Sequence, residues 1–404
     1  MTAAADTAPG ESAGKGEGPL IFLIAGEPSG DHLGARLMAA LREETGGRGR
    51  FAGIGGEQMI AQGLESRFPI HELAVMGFFE VLPHLFGILR RIRETVAAVK
   101  ALRPDAVVTI DSPSFTLEIA QRLAGQGIPL IHYVAPQVWA WKPWRAKSIG
   151  RYLDRLLVLL PFEPPYFERH GLATDFVGHP AVEGPRAEAA TSAPEPGEGP
   201  CLLVLPGSRR GEVAKLLPVF AETVRALAAR HAGLRVVMPT VETVEAQLRA
   251  EVADWPVAVE VVRGAEAKAS AYRRATAALA ASGTVTLELA VAGVPTVVAY
   301  RFAGPVGLLS PKLLRVPFVS LANLIAGREV QPEFLQRRCR ASEILPAVER
   351  LLSDPAARAA QREGCRGVAA ALTPPEGSPS RAAARRVLAT LAKPADPQRL
   401  PIGT

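Results

Sequence analysis

The stretch LIFLIAGEPSGD, Leu20 to Asp31, sets the architecture: six apolar residues without a polar break, then a turn of Gly, Glu, Pro and Ser, then a helical pattern from Asp31 to Glu44. A strand that is apolar on both faces is one that a sheet buries on both sides, the habit of parallel sheets covered by helices. Outward from it the same grammar recurs. Strands are expected at Ala106 to Ile110, Leu130 to Val134 and Leu156 to Leu160, with helices near His84 to Leu102, Ser114 to Ala124 and Lys142 to Tyr152. The segment Glu183 to Pro200 (EGPRAEAATSAPEPGEGP) breaks the alternation and reads as a linker. The pattern then restarts with strands at Leu202 to Leu205, Leu234 to Met238, Val257 to Val262, Ala277 to Ala281 and Pro295 to Tyr300, and a helix that ends near Arg230. The expected fold class is α/β: two Rossmann-like domains in tandem, 19–182 and 201–350, joined by the linker 183–200 and facing a cleft. Residues 1–18 and 392–404 read as loose tails, and the Ala- and Arg-rich chain after Pro346 as helical.

Composition fits this plan. At roughly 150 residues per domain, 404 residues make two or three domains and exclude one small module. With 37 Gly and 35 Pro, 48% hydrophobic and 21% charged residues, the chain is an ordinary globular one rather than a disordered one. Lys and Arg exceed Asp and Glu by 46 to 40, a net charge of +6, and Arg carries most of the positive side, which favours flat contacts to phosphate. Anionic substrates or a membrane surface suit that balance. No concentrated basic stripe or recognition motif marks a nucleic-acid partner. Cys201, Cys339 and Cys365 are odd in number and contain no C-x-x-C pair, which argues against a disulfide framework or zinc ribbon and for reducing cytosol. The first 18 residues lack the apolar core of a secretory signal. The longest apolar stretch, Leu73 to Leu89, is broken by Glu80, Pro83 and His84 and is too short to span a bilayer.

Ligands of open parallel sheets bind beyond the carboxyl ends of the strands, and four such places carry polar residues. Gly26 to Asp31 permits close backbone approach and ends on a helix N-terminus that accepts an anion; alternatively it is a tight turn with Ser29 or Asp31 as a helix cap. Ile110-Asp111-Ser112-Pro113 puts a carboxylate at a strand tip, where it either takes a proton from an attacking hydroxyl or closes an Asx-turn or helix cap. Pro206-Gly207-Ser208-Arg209-Arg210 joins backbone N–H groups to a guanidinium, a combination suited to a diphosphate. Ala281-Ser282-Gly283-Thr284-Val285-Thr286-Leu287-Glu288 has the strand, small turn and helix of a pyrophosphate cradle; Glu288, about one turn on, either reaches ribose hydroxyls or is an ordinary helical Glu. The last two together describe a nucleotide-diphosphate site that uses Arg and a helix dipole. The sequence holds no Asp-x-Asp and no His-x-x-x-His, so no metal site is expected. Gly53-Ile54-Gly55-Gly56 lacks the third glycine of a dinucleotide fingerprint, and there is no nucleophile elbow.

Two further features bear on an acceptor. Leu73 to Leu89 runs directly into Arg90, Arg91 and Arg93, an apolar surface beside a basic cluster that either seats on anionic lipid or holds an acyl chain, or else is core. Trp139, Trp141 and Trp144 crowd near Lys142, Arg145 and Lys147, which suits either a sugar- or phosphate-handling cleft or a packed hinge.

The blocks AGEPSGD (25–31), ELAVMGFFEVLPHL (72–85), IDSPSF (110–115), IHYVAPQVWAWK (131–142), LPFEPPYF (160–167), VGHP (177–180), LPGSRRGEV (205–213), ASGTVTLE (281–288) and FVSLANLIAGRE (318–329), in this order, resemble those of the lipid-A-disaccharide synthase family. The similarity runs from about Ile21 to Leu352. It implies the GT-B glycosyltransferase fold and an inverting transfer that joins UDP-2,3-diacylglucosamine to 2,3-diacylglucosamine 1-phosphate, releases UDP and needs no cofactor. It further implies a cytoplasmic enzyme held peripherally on the inner face of the inner membrane, with helices in 351–391 returning to the N-terminal domain. Matched block by block, Asp111 becomes the catalytic base, Arg209, Ser282, Gly283 and Thr284 the diphosphate site, Glu288 the ribose ligand and Asn323 a donor-site residue. Glu27, Ser29 and Gly30 would border the cleft. The family's second Asp in the Asp111 block is Ser114 here, so Asp111 would act alone. A UDP-sugar 2-epimerase shares the tandem plan but has no use for an acyl-handling surface, and a non-enzymatic membrane scaffold would hold a nucleotide without turnover.

Overall fold

The computed structural model describes residues 18–73, 81–139, 143–183, 199–302 and 316–392, with side chains in the helix that begins at Val81 described from Phe86 onward. Twelve strands among these residues form two six-stranded sheets. The first contains β1 (Leu20–Ala25), β2 (Arg50–Ile54), β3 (Ala106–Ile110), β4 (Leu130–Tyr133), β5 (Arg155–Val158) and β6 (Ala173–Phe176) in the order β2-β1-β3-β4-β5-β6. The second contains β7 (Cys201–Leu205), β8 (Arg235–Thr240), β9 (Val259–Arg263), β10 (Ala277–Ala281), β11 (Thr296–Tyr300) and β12 (Glu333–Leu335) in the order β12-β11-β10-β7-β8-β9. Pairing is parallel, with Ala25 opposite Ile110 and Ile110 opposite Tyr133 in one sheet, and Ala280 opposite Leu205 and Ala281 opposite Ala299 in the other.

Connecting helices in the first half are α1 (Pro28–Glu44), α2 (Glu57–Ala61), α3 (Val81–Leu102), α4 (Thr116–Leu123), α5 (Trp144–Ile149) and α6 (Pro164–Glu168). In the second they are α7 (Arg210–Ala228), α8 (Glu242–Val252), α9 (Ala265–Arg274), α10 (Thr284–Val291), α11 (Leu321–Ala326), α12 (Ala341–Ser353), α13 (Pro355–Leu372) and α14 (Pro379–Leu391). Strand β7 shows why its sequence is apolar throughout. Leu202 and Val204 pack with Val213, Leu216, Leu217 and Phe220 of α7, while Leu203 and Leu205 pack with Ala271, Tyr272 and Leu289 on the other face. Each fully buried side chain of this kind contributes about 1.5–3 kcal/mol.

The chain divides into two compact units. One draws its described residues from Met1–Val134, Arg151–Leu156 and Ala383–Thr404, the other from Ala135–Gly150 and Leu157–Ala382. The linker expected over 183–200 lies outside the described residues from 184 to 198. Its first residue is an anchor: Glu183 accepts hydrogen bonds from Ser380 N, Ser380 Oγ and Ser378 Oγ, each 2.7 Å, at the start of α14.

Several boundaries differ from the sequence reading for local reasons. Strands β2, β6 and β12 are additions to the expected set, and all three are outer strands of their sheets. Helix α12 starts at Ala341 and carries Pro346 inside it. At the start of α1 the cap is Glu27 in an extended conformation with Pro28 at the first helical position, so neither Ser29 nor Asp31 caps it. Asp31 instead turns its buried carboxylate onto α2, where Oδ1 accepts from Gly56 N (2.8 Å) and Met59 N (3.0 Å) and Oδ2 from Gln58 N (3.0 Å). Among the described residues no helix is long and apolar enough to cross a membrane.

Asp31→Ala strands three N–H groups at the start of α2. The expected loss is about 3 kcal/mol of unfolding free energy, given about 1–3 kcal/mol for each buried donor left without a partner and partial rescue by water. Urea denaturation of the two proteins measures it.

Candidate functional site

In the first unit the polar residues after β1 and β3 meet. The chain leaves β3 through Asp111 and Ser112, both left-handed (φ 51° and 45°), a conformation that costs non-glycine residues about 1–3 kcal/mol each. Local bonds hold the turn: Asp111 N donates to Tyr133 O (2.9 Å), Ser112 N to Asp111 Oδ1 (2.8 Å), and Thr116 Oγ1 to Asp111 O (2.6 Å). Asp111 Oδ2 accepts from Ser29 Oγ at 2.7 Å. The carboxylate thus gives one oxygen to its own turn and the other to the first turn of α1. It does not cap α4, whose cap position is Phe115 with no side-chain bond. Gly26 has to be glycine, since a Cβ there would fall 2.6 Å from Ser112 Oγ; Gly30 sits against Ile110 O, 3.1 Å from where a Cβ would lie. Ser29, Gly30 and Asp111 are therefore neighbours, with Glu27 half-buried at the head of α1. Ser114 is exposed.

In the second unit a cavity of about 780 Å³ opens at the carboxyl ends of β7, β8, β10 and β11. Gly207, Ser208 and Arg209 line it after β7, Thr240 at the end of β8 and Val241 beyond it, Ser282, Gly283, Thr284 and Val285 after β10, and Tyr300 at the end of β11 with Phe302 beyond it. Gly207 adopts φ 119°, and a Cβ there would meet Glu212 Oε2 at 2.7 Å. The Arg209 guanidinium, 68% exposed, pairs with Glu212 at 3.0 Å. Burial, followed by the nearby Glu212 carboxylate, pushes the Tyr300 hydroxyl up. Ser282 Oγ donates to Val319 O (3.1 Å), which ties the turn before α10 to the segment that carries Val316, Phe318 and Val319 along the same wall.

Two residues expected in the donor site are not among those that line the cavity. Asn323 is wholly buried and does not line the cavity. Its Nδ2 donates to Gln331 O (2.7 Å) and Glu333 Oε1 (2.8 Å), and its Oδ1 accepts from Val330 N (2.7 Å) and Gln331 N (2.8 Å), so its hydrogen-bonding capacity is used in joining α11 to the edge strand β12. Glu288 is likewise absent from the lining; it pairs with Lys268 and accepts from Tyr272 Oη at 3.3 Å. Lys268, on the cavity wall, has no signal in the sequence because a single Lys in a helical stretch carries no pattern.

A further wall comes from the loop after β4. Gln137 and Trp139 line the cavity, and Trp139, 7% exposed, donates Nε1–H to Glu163 Oε1 at 3.1 Å. Leu160 N donates to Glu163 Oε2 at 3.0 Å. The tryptophan cluster divides: Trp139 is inside, Trp144 is 68% exposed, and Trp141 and Lys142 lie outside the described residues. The apolar segment Leu73 to Leu89 is outside them from 74 to 80; of its described part, Phe86 is 83% exposed. In the adjoining basic cluster, Arg90 pairs with Glu94 (2.7 Å) and Arg91 with Glu72 (2.6 Å) and Glu94 (2.8 Å). No group of three or more His, Cys, Asp or Glu suited to a metal ion occurs among the described residues.

Residues 21–387 match the family described as lipid-A-disaccharide synthetase. The chain belongs to that family. A lipid-A-disaccharide synthase from Rhodospirillum centenum is 49% identical over 385 residues, 93% of this chain and 95% of the relative. Solved structures share the fold at much lower identity. The glycosyltransferase of kitacinnamycin superposes with a TM-score of 0.62 at 18% identity, covering 92% of this chain and 99% of that one. A UDP-GlcNAc 2-epimerase from Neisseria meningitidis bound to UDP-GlcNAc gives 0.58 at 12% identity, covering 92% and 99%. Two Rossmann-like sheets in the GT-B manner are thus established, and since the fold is common to transferase and epimerase, the choice between them rests on the family match.

Burial pushes the Glu163 carboxyl up to about 7, against the pull of its hydrogen bonds from Trp139 and the backbone of Leu160 and Leu159. A carboxyl that holds its proton more tightly folded than unfolded stabilises the fold where it is protonated. Stability from this group is therefore present below pH 4.5 and is lost as pH rises toward and past 7, by at most about 3 kcal/mol at 1.36 kcal/mol per pH unit. Glu163→Gln should flatten that part of the stability profile, read by denaturation at about pH 5 and about pH 8.

Proposed function

We infer that the chain transfers a hexosyl unit from a UDP-sugar to a lipid acceptor in lipid A biosynthesis. The observation that carries this is a cavity beyond a parallel sheet, edged by Arg209 and the N-terminal turn of α10, in a chain that matches the lipid-A-disaccharide synthetase family from residue 21 to 387. The named activity of the relatives points to UDP-2,3-diacylglucosamine as donor and 2,3-diacylglucosamine 1-phosphate as acceptor, with lipid A disaccharide 1-phosphate and UDP as products.

The chemistry is a single inverting displacement. The acceptor's 6-hydroxyl attacks the anomeric carbon, the bond to the diphosphate breaks with its electron pair on the leaving oxygen, and Asp111 takes the hydroxyl proton. Ser29 donates to Asp111 Oδ2 and so fixes the orientation of the carboxylate, leaving it acceptor capacity for the proton. Arg209 and the backbone at Gly283 and Thr284 offer positive ends to the diphosphate, and charge that develops there is met by groups already in place. Glu288 and Asn323 act at a remove from the cavity, the first through Lys268 and the second by holding the wall. Acyl chains on both substrates favour work at the inner face of the inner membrane, with exposed Phe86 on the lipid side.

Asp111→Asn should lower turnover about 10²–10⁴-fold, the usual worth of a general base, with UDP affinity unchanged in a calorimetric titration. Arg209→Ala should weaken UDP binding about tenfold or more, the loss of a charge-assisted bond of about 1.5–3 kcal/mol. Mass spectrometry of the products from a diacylated UDP-sugar decides the reaction: acceptor-dependent UDP release supports the transferase, an isomerised UDP-sugar the epimerase, and no product the scaffold.

A further inference from the structure

We propose that Glu163 is a positioning residue for the donor cavity, holding the indole of Trp139 and through it one wall of that cavity. The proposal rests on the assignment of the cavity to the UDP-sugar.

Glu163 is 3% exposed at the start of α6, where the neighbouring Trp139, Leu160, Phe162 and Tyr166 make an apolar cluster. A carboxylate in such a place is costly unless its acceptor sites are filled by donors. Here donors reach both oxygens, Trp139 Nε1 at 3.1 Å on one and Leu160 N at 3.0 Å on the other, with Leu159 as a further backbone donor, and they offset part of the cost, so that the side chain is ionised above about pH 7. A glutamine would be easier to bury but offers only one acceptor oxygen, and its amide would point N–H groups at donors. Two acceptor oxygens are what let this one side chain bind the loop after β4 to the loop after β5.

Trp139 is held by more than this bond. Its ring meets Phe162 edge to face, with centroids 5.3 Å apart and planes at 86°. Turning the indole to another rotamer would break the edge contact and leave Glu163 Oε1 buried without its donor. The wall is thereby restricted to one position before any ligand arrives, the preorganisation that a binding site needs. Val316, Leu321 and Leu324 pack on the same cluster and line the same cavity. Trp139 therefore shares an apolar stretch of the lining with Val316, Leu321 and Leu324, and on the proposed reading that stretch serves the sugar while Arg209 and Ser282 to Thr284 serve the diphosphate.

The test is steady-state kinetics with a diacylated UDP-sugar on the full-length chain and on Glu163→Gln, Trp139→Phe and the double variant, alongside UDP titration calorimetry and thermal unfolding. Trp139→Phe keeps an aromatic ring and removes the N–H donor, so it serves even if Glu163→Gln folds poorly. Each single variant should raise the donor KM about tenfold with kcat and UDP affinity within about twofold, and the double variant should be no worse than either single, the coupling expected of partners in one bond. An unchanged donor KM in Trp139→Phe, additive effects in the double variant, or a fall in kcat alone matching a lost folded fraction would each overturn it. A wild-type chain that binds no UDP overturns the donor assignment, and the proposal with it; a wild type that binds UDP while the variants keep its KM overturns the proposal alone.

Discussion

Parallel register is the constraint on which the functional geometry depends. When Ala280 lies opposite Leu205 and Ala281 opposite Ala299, the strands β10, β7 and β11 end at one edge, and the next few residues of each must share a small space. Gly207 to Arg209, Ser282 to Thr284 and Tyr300 are far apart in the chain, and they surround one cavity because the ladder ends them together. The helices that return the chain to the far edge bury both faces of the sheet, which is why β7 and β10 carry no polar residue. An antiparallel sheet would divide these turns between its two ends.

The same constraint operates on β1 and β3, where Ala25 lies opposite Ile110. There the consequence is steric. The turn after β3 takes two successive left-handed residues, neither of them glycine, and the turn after β1 passes so close that Gly26 has no room for a side chain. Strain of this kind persists where surrounding bonds outnumber the alternatives, and the bonds from Ser112 N, Thr116 Oγ1 and Ser29 Oγ do so here. Turn closure occupies Oδ1 of Asp111 alone, and Oδ2 reaches across to Ser29 in the first turn of α1.

The sequence makes the interior of the fold legible and its margins obscure. Strands β1, β3 and β10 are found at their observed ends because both faces are buried and their apolar runs are unbroken. β2, with Gly53 inside it, β6, written ATDF, and β12, three residues long, are outer strands that need fewer apolar residues, and so their pattern falls below what periodicity detects. The site divides in a similar way. Turns after strands announce themselves through Gly, Ser and Arg, and they do stand where the sheets end. Residues outside those turns leave no such mark: Lys268 is one Lys in a polar helix, Glu163 stands among prolines in LPFEPPYF with no pattern of its own, and Asn323 bonds to residues 330 to 333 across a loop that no periodicity describes.

The pairing of Arg209 with Glu212 gives the cavity an internal counter-ion. Nη1 of Arg209 makes this bond at 3.0 Å on a guanidinium that is 68% exposed, and an exposed pair of this kind, holding at about 1 kcal/mol or less, is readily exchanged. A ligand with several phosphoryl oxygens competes on better terms, since it engages the arginine and the backbone amides in one event. The resting arginine is thus held by a single light tether, which keeps it beside the turn after β7 without committing it.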